Sequence, residues 1–468
     1  MNSPLAMLVA VTGVLFLLYL LVYATYLFLS VALGAWRLYH QDKMLAIHNE
    51  LKHEFYVPVS ILVPAHNEEI TIVESVESLL GLDYRLYEVI VVDDGSTDAT
   101  AARLVERFSM QPVHRPVRLS LPCQPIEEIF EAQGTPVPLM LVRKRNGGKG
   151  DALNTGINVA QYPYFLCIDA DSMLQRDSLE HIVQPVMEDD DVVAVGGQVC
   201  VSQGVRLEEG RVVSYHLPRR LLVSMQALEY ERSFLASRIL LDGFNGNLIV
   251  SGAFGLYKKD VVVAAGGYDT DTLGEDMELV MKLHAFCRNN LVRYAIRYEP
   301  RAVCWSQAPS TWRDLAKQRR RWHMGLFECM TRYRFMFGTS RYGLSGSLSY
   351  LYYLLYELYS PLIELAGVAV TVLAAFLGLL NLRFMVFFFL LYAVYGAVLT
   401  LTAFLQRIYM QRLKTSPRDI ARACLLCAVE FAFFRLGLDY VRTTALIGYR
   451  KNRREWGTIA RARHTEGS

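Results

Sequence analysis

Charged residues are distributed unevenly along the chain. No Lys, Arg, Asp or Glu lies between Met1 and Trp36, and only Glu357, Glu364 and Arg383 interrupt the stretch from Gly346 to Leu405. Between these apolar blocks, from Val57 to Phe337, short apolar runs alternate with amphipathic stretches. Val59–Pro64 reads as a buried strand, Glu68–Leu80 as a helix, Glu88–Val92 as a strand and Asp98–Arg107 as a helix. Leu139–Val142, Ala152–Ala160 and Tyr164–Ile168 continue the series as strand, helix and strand. This alternation predicts an α/β domain with a mostly parallel sheet, whose ligands bind outside the carboxyl ends of the strands. Residues 112–138 hold six prolines and read as an insertion loop without chemistry.

A membrane span needs about 20 apolar residues. Leu5–Ala35, Pro361–Leu380 and Phe384–Leu405 meet that length. The opening Met1-Asn2-Ser3-Pro4 lacks the basic start of a signal peptide, so the first span reads as an uncleaved anchor. Arg37 and Lys43 put its far end in the cytoplasm, as Arg407, Arg412, Lys414 and Arg418 do for the last span. Pro361 divides the second apolar block and leaves Tyr350–Tyr359 at the interface. Ile420–Ile447 carries Arg422, Glu430, Arg435, Asp439 and Arg442 among apolar residues, the pattern of an amphipathic interfacial helix against membrane lipids. A basic tail with Arg450, Lys451, Arg453 and Arg454 follows. The chain thus divides into an anchor over residues 1–36, a cytoplasmic globular domain over 55–308 and interfacial helices over 309–345. Transmembrane helices over 346–406 and an amphipathic helix with the tail over 418–468 complete it.

Composition narrows the classes further. A hydrophobic fraction of 53% in 468 residues excludes a purely soluble protein, 12% aromatics exclude disorder, and a net charge of +2 gives no reason to expect nucleic acid. Six of the eight cysteines fall between Val57 and Phe337, where cytoplasmic thiols stay reduced; Cys424 and Cys427 lack a second pair at metal-binding spacing and read as helix-packing residues. No Gly-x-Gly-x-x-Gly follows a strand. Asn146-Gly-Gly-Lys-Gly150 departs from the Walker pattern at Arg143 and Gly150, which argues against an ATPase.

The chemistry gathers after the strands. Asp93 and Asp94 follow one strand and Asp169-Ala-Asp171 another, and the latter places two hard oxygen ligands at the crevice mouth, suited to Mg²⁺ or Mn²⁺ carrying a diphosphate or to capping the next helix. Lys149, after two glycines, is placed to neutralise a phosphate. Glu275 and Asp276 open a helical segment as caps or, for Asp276, as an acceptor of a hydroxyl proton. Gln318-Arg-Arg-Arg-Trp322 reads either as an interfacial anchor or as a pyrophosphate clamp (Arg321) beside a sugar-stacking ring (Trp322).

The ordered set Val63-Pro-Ala-His-Asn-Glu68, Val92-Asp-Asp-Gly-Ser-Thr-Asp98, Gly147-Gly-Lys-Gly-Asp-Ala-Leu-Asn154, Asp169-Ala-Asp171, Gly274-Glu-Asp276 and Gln318-x-x-Arg-Trp322 resembles the membrane glycosyltransferases of family 2. These include hyaluronan, chitin-oligosaccharide, cellulose and poly-N-acetylglucosamine synthases. The resemblance implies a GT-A-type nucleotide-sugar-binding domain with membrane and interfacial helices. It assigns Ala65, Glu68, Asp93 and Asp94 to uridine, Lys149 and Arg321 to the nucleotide, and Asp171 with Asp169 to a metal-diphosphate. Asp276, beside Glu275, matches the general base; Gln318 and Trp322, with Ser251, Gly252, Ala253 and Phe254, match the acceptor site. The activity implied is inverting transfer from a UDP-sugar to a growing polysaccharide, with single transfer to a lipid-linked acceptor as the alternative. Two departures stand out: Gly274 replaces a common threonine, and the spans are fewer than in the large polymer-secreting synthases.

Overall fold

The computed structural model describes residues 4–48, 56–208, 210–430 and 434–447, and the tail from Arg450 lies outside them. The globular part runs β1 (Val59–Ala65), α2 (Ile72–Leu80), β2 (Tyr87–Asp94), α3 (Thr100–Arg107), β3 (Gln111–Pro112), β4 (Ile126–Glu131), β5 (Leu139–Lys144), α4 (Lys149–Val159), β6 (Tyr164–Ile168), β7 (Ser172–Leu174), α5 (Ser178–Glu188) and β8 (Val192–Val201), after the long helix α1 (Pro4–His48). It continues through β9 (Val205–Glu208), β10 (Arg211–Tyr215), α6 (Leu221–Arg232), α7 (Arg238–Asp242), β11 (Phe254–Lys258), α8 (Lys259–Ala264), α9 (Glu275–Asn289), β12 (Ala295–Ser306) and α10 (Trp312–Arg332).

Ten strands form one mixed sheet in the order β3-β4-β5-β2-β1-β6-β11-β8-β12-β7. Its centre, β5-β2-β1-β6, is parallel, and β11 inserts antiparallel between β6 and β8. The period of two along β1 explains why both faces are covered. Val59, Ile61 and Val63 pack with α2, α3 and α5, while Leu62 packs with α4, α8 and α9 on the opposite face. Ser60, the polar exception, donates to buried Glu88 at 2.6 Å. The proline-rich insertion is not merely a loop: β4 pairs antiparallel with β5, and β3 pairs antiparallel with β4, extending the sheet. The predicted helix from Glu68 starts later, at Ile72, because Asn67 takes φ 57° and the amides of Glu68 and Glu69 bond the Thr100 and Asp98 side chains.

Among the described residues two helices are long and apolar enough to cross a membrane, Met7–His40 within α1 and Met385–Met410 within a later helix. The second apolar block is a helical pair, Ser345–Leu358 and Ser360–Phe376, bent by 50°. Pro361 sits in the first turn of the latter, where its missing N–H costs no hydrogen bond. In chain order the apolar block contributes α11 (Tyr350–Tyr352), α12 (Ser360–Phe376) and α13 (Leu382–Met410), followed by α14 (Pro417–Val429) and α15 (Arg435–Ile447). The segment expected as one amphipathic helix is helical on both sides of residues 431–433, which lie outside the described residues.

Candidate active site

The polar turns after β1, β2 and β5 meet at one corner. Asp93, buried at the end of β2, accepts the Ser96 N–H at 3.0 Å and closes a turn in which Gly95 takes φ 67°. A Cβ at Gly95 would lie 2.8 Å from the Asn146 nitrogen, so only glycine lets the two turns touch. Ala65 is buried at the end of β1, and the hydroxyl of Thr71 donates to Glu68 at 3.0 Å. Asp94, expected at uridine, is instead turned toward the next loop: its carboxylate accepts the N–H groups of Gly147 at 3.0 Å and Gly148 at 2.7 Å.

Lys149 follows as the first residue of α4. Its ammonium donates to Asp169 at 2.6 Å and to the Gly252 carbonyl at 3.3 Å, with Glu275 at 3.5 Å. Burial works against the charge, but Asp169, Glu275 and Asp276 outweigh it and hold the pKa above the ordinary lysine range. Burial raises the Glu275 carboxyl, with Lys149 and Arg321 opposing and Asp276 reinforcing the rise. Asp276 accepts the Gly252 N–H at 3.1 Å through Oδ2 and the Met277 N–H at 2.8 Å through Oδ1, at the start of α9. A side chain at 252 would meet the Lys149 ammonium at 3.2 Å and the Asp276 Cβ at 3.3 Å. Gly274 has a local reason as well, since a Cβ there would stand 3.1 Å from the Gly325 backbone on α10.

A cavity of about 400 Å³ joins these groups. Of the residues singled out in the sequence, Lys149, Asp169, Asp171, Ser251, Gly252, Ala253, Glu275, Asp276, Gln318, Arg321 and Trp322 line it. Ala65, Glu68, Asp93 and Asp94 do not: Ala65, Asp93 and Asp94 stand at the ends of β1 and β2, and Glu68 follows β1 by three residues. Phe254, expected at the acceptor, is fully buried in the sheet core against Gly197, because alternation along β11 turns it away from the cavity.

Helices to which the sequence assigned no part in the site supply the rest of the wall, beside the motif on α10. The Arg319 guanidinium lies 4.6 Å from the centroid of the Trp322 ring and pairs with Glu229 of α6 at 2.6 Å, while Tyr230 sits 6.4 Å from the same ring. Arg232 forms a two-pronged pair with Glu430 at 2.7 and 3.1 Å, and Arg442 of α15 approaches Glu229 at 3.7 Å. Arg435 pairs with Glu364 of α12 and lies over the Tyr23 ring at 4.7 Å. The charges expected to face a lipid–water boundary in this segment therefore face other helices. The clue was the charged run Glu229-Tyr-Glu-Arg232 on an otherwise apolar helix. The Gln318 Oε1 is buried without a hydrogen-bond partner among the described residues. His323 is buried, and that burial, with Arg442 nearby, pushes its pKa down to about 3.

Asp169 and Asp171 form the candidate metal site. Asp171 is buried beside the Ser172 hydroxyl at 3.3 Å, and Asp169 is one-third exposed toward the cavity. Among the described residues no group of three or more His, Cys, Asp or Glu forms a ready cage. Two carboxylates at an open cavity fit Mg²⁺ or Mn²⁺, which take one or two protein carboxylates and complete their shell with phosphate oxygens and water.

Two family models match parts of the chain. The model described as glycosyl transferase family group 2 matches residues 164–405, and that described as glycosyl transferase family 2 matches residues 60–119. Poly-beta-1,6-N-acetyl-D-glucosamine synthase of Staphylococcus epidermidis is 29% identical over 294 residues, 62% of this chain and 59% of that protein. The synthase of the same name from Staphylococcus aureus strain COL is 30% identical over 277 residues, 58% of this chain and 56% of that protein. The chain thus spans less than two thirds of the length of these curated relatives. The solved structure of mannosyltransferase PcManGT from Pyrobaculum calidifontis, in complex with GDP-Man and Mn²⁺, aligns over 92% of this chain and 99% of its own with a TM-score of 0.52 at 20% identity, a likeness of fold. With a GT-A sheet, the ordered motifs gathered at its edge and a family model covering more than half of its length, the chain belongs to glycosyl transferase family group 2.

Proposed function

We propose that the protein is an inverting membrane glycosyltransferase that moves sugars from a UDP-sugar to the growing end of a β-linked polysaccharide. The observation that carries this reading is the course of the cavity, which runs from Lys149, Asp171 and Asp276 to Tyr23, Tyr356 and Arg435 among the apolar helices. A site for one transfer to a small acceptor has no need of such an extension. A chain held there would have its reacting end at Asp276 and its older sugars between membrane helices. The names of the staphylococcal relatives support a polymeric product and make UDP-N-acetylglucosamine the first donor to test.

In this reading uridine lies over the ends of β1 and β2, beside Ala65, Glu68 and Asp93. Asp169 and Asp171 hold Mg²⁺ or Mn²⁺, which when bound offsets the charge building on the leaving diphosphate. Lys149 and Arg321 add positive charge on the same oxygens. Asp276, oriented by the Gly252 N–H, takes the proton of the acceptor hydroxyl, which attacks from the face opposite UDP and so inverts the anomeric centre. Glu275 buffers the charge between Lys149 and Asp276. Trp322 stacks on the acceptor sugar, the free acceptor atom of Gln318 receives one of its hydroxyls, and Ser251, Gly252 and Ala253 shape the floor.

The catalytic domain faces the cytoplasm, where nucleotide sugars are made, and residues 309–345 lie near the membrane surface. The decisive experiment offers a panel of UDP-sugars to the purified protein with Mg²⁺ or Mn²⁺ and reads UDP release together with product mass. One donor giving a ladder of products supports the reading; a single-sugar lipid product would overturn polymer synthesis. Cysteine labelling near Lys414 in intact cells tests the orientation, since reaction with an impermeant external reagent contradicts a cytoplasmic loop.

A further inference from the structure

Beneath the Gly147–Gly148 loop lies a charged group that never reaches the cavity. Lys144, the last residue of β5, is paired in register with Asp94 of β2, and its side chain is fully buried. Its ammonium contacts Asp94, donates to the Arg145 carbonyl at 2.7 Å and meets Asp151 of α4 at 2.6 Å, which occupies all three of its protons. Both acids are buried as well. Asp94 spends its remaining capacity on the N–H groups of Gly147 and Gly148, and Asp151 accepts the N–H of Gln124 at 3.1 Å. The loop is therefore wound around the Lys144 ammonium, five residues before Lys149. Its tightness is visible at Gly147, where a Cβ would lie 2.6 Å from the Asp151 carboxyl carbon, and at Gly148, which takes φ 89° to enter α4.

We infer that Lys144 is a positioning residue for donor binding: it clamps Asp94 to Asp151, these fix the Gly147 and Gly148 amides, and the fixed loop sets the Lys149 ammonium against Asp169. Lys144 itself touches no substrate. A buried ion cluster contributes little net stability compared with apolar packing, whereas it dictates geometry when every bond is directional. The same clamp explains why the carboxylate of Asp94, which stands where uridine contact was expected, is turned to Lys144 and to the Gly147 and Gly148 amides. The inference rests on the reading of Lys149 as a ligand of the donor diphosphate.

The test is a thermodynamic cycle on the full-length protein in detergent, with UDP affinity measured by calorimetry in the presence of Mn²⁺. Lys149→Ala and Lys144→Met are each expected to weaken UDP binding by about 10-fold, and the double variant is expected to bind no more weakly than Lys149→Ala, because the two act in series. Adding Asp151→Asn to Lys144→Met returns the cluster to its original net charge, and UDP affinity is expected to recover to within about threefold of the original protein. Asp151→Asn alone keeps the clamp half made and covers the case in which Lys144→Met does not fold. It is expected to cost about threefold in UDP affinity, a loss that disappears in the Lys149→Ala background. Losses that multiply with Lys149→Ala, or a folded Lys144→Met protein that binds UDP as well as the original, would overturn the clamp while leaving Lys149 in its role. If Lys149→Ala binds UDP normally, the reading of Lys149 itself fails and this inference falls with it.

Discussion

The strand-end edge of the sheet and the helical wall of the cavity solve the same problem, holding charge in place, in different ways. At the strand ends the partners come from strands of one sheet and the turns that follow them: Lys144 with Asp94 and Asp151, Lys149 with Asp169. In the helical wall the partners come from remote parts of the chain, as in Arg232 with Glu430, Arg407 with Glu231, and Arg435 with Glu364. Edge chemistry can thus be recognised from local spacing, because a parallel sheet brings every strand end to one crevice. Wall chemistry becomes visible only once helices pack, since a charge on an apolar helix looks the same whether it faces headgroups or another helix. The functional division we propose follows the same line, with the edge serving the donor and the wall serving the acceptor.

The largest effect expected is at the seam between the two regions. Asp276→Asn should cut turnover by about 10²-fold or more while UDP affinity stays near its original value, since only proton removal is lost; near-normal turnover would take the base role away from Asp276. Next comes the edge. Asp171→Asn should weaken UDP binding by about 30-fold with Mn²⁺ present and little in its absence, because the carboxylate acts through the ion. Equal losses in both conditions would mean that Asp171 serves the fold alone. On the wall, Trp322→Ala should raise the acceptor concentration needed for half-maximal rate by about 3- to 10-fold with UDP affinity preserved. A collapse of UDP affinity there would erase the donor–acceptor division.

The smallest effect concerns stability rather than turnover. Burial, with Arg442 nearby, pushes the His323 pKa down from 6.5 to about 3, so the folded protein keeps this imidazole neutral. The unfolded chain takes up a proton below about pH 6.5 while the folded one does not, so this stabilisation is present above that pH and lost as pH falls toward 3, on the order of 1 kcal/mol per unit. Thermal denaturation in detergent between pH 7 and 5 should therefore fall more steeply for the original protein than for His323→Asn, and parallel curves would show that His323 is solvated in the folded state.

Much of the edge was legible from residues alone. Tyr164–Ile168 appears with its predicted ends, and β1, β2 and β5 run one to three residues beyond theirs. Period-two burial and polar turns suffice to specify such strands. Phe254 was misplaced because position in a motif does not say which side of a strand a residue faces; one residue of register separates Ala253 in the cavity wall from Phe254 in the core. The insertion after α3 hid β4 because prolines flank it and its exposed face is acidic, with Glu127 and Glu128. Residues 420–447 were harder still. Their charges predict an interface when the partners Glu229, Arg232 and Glu364 are unknown, and those partners lie 56 or more positions away.

Arg407 has a consequence for what counts as the enzyme. Near the end of membrane helix α13, and 1% exposed, it enters the globular part between the rings of Tyr215 and Trp305, 4.6 and 4.8 Å from their centroids, and pairs with Glu231. Trp305 in turn sits in register with Met173 of β7, two residues beyond Asp171. Sheet and membrane helix thus share one interior. A fragment cut at residue 308 would open the faces of Tyr215 and Trp305 to water and leave the Glu231 carboxylate buried without its cation. A fragment ending at that boundary is therefore expected to lose its fold, and the smallest unit expected to keep the sheet intact includes the apolar helix α13.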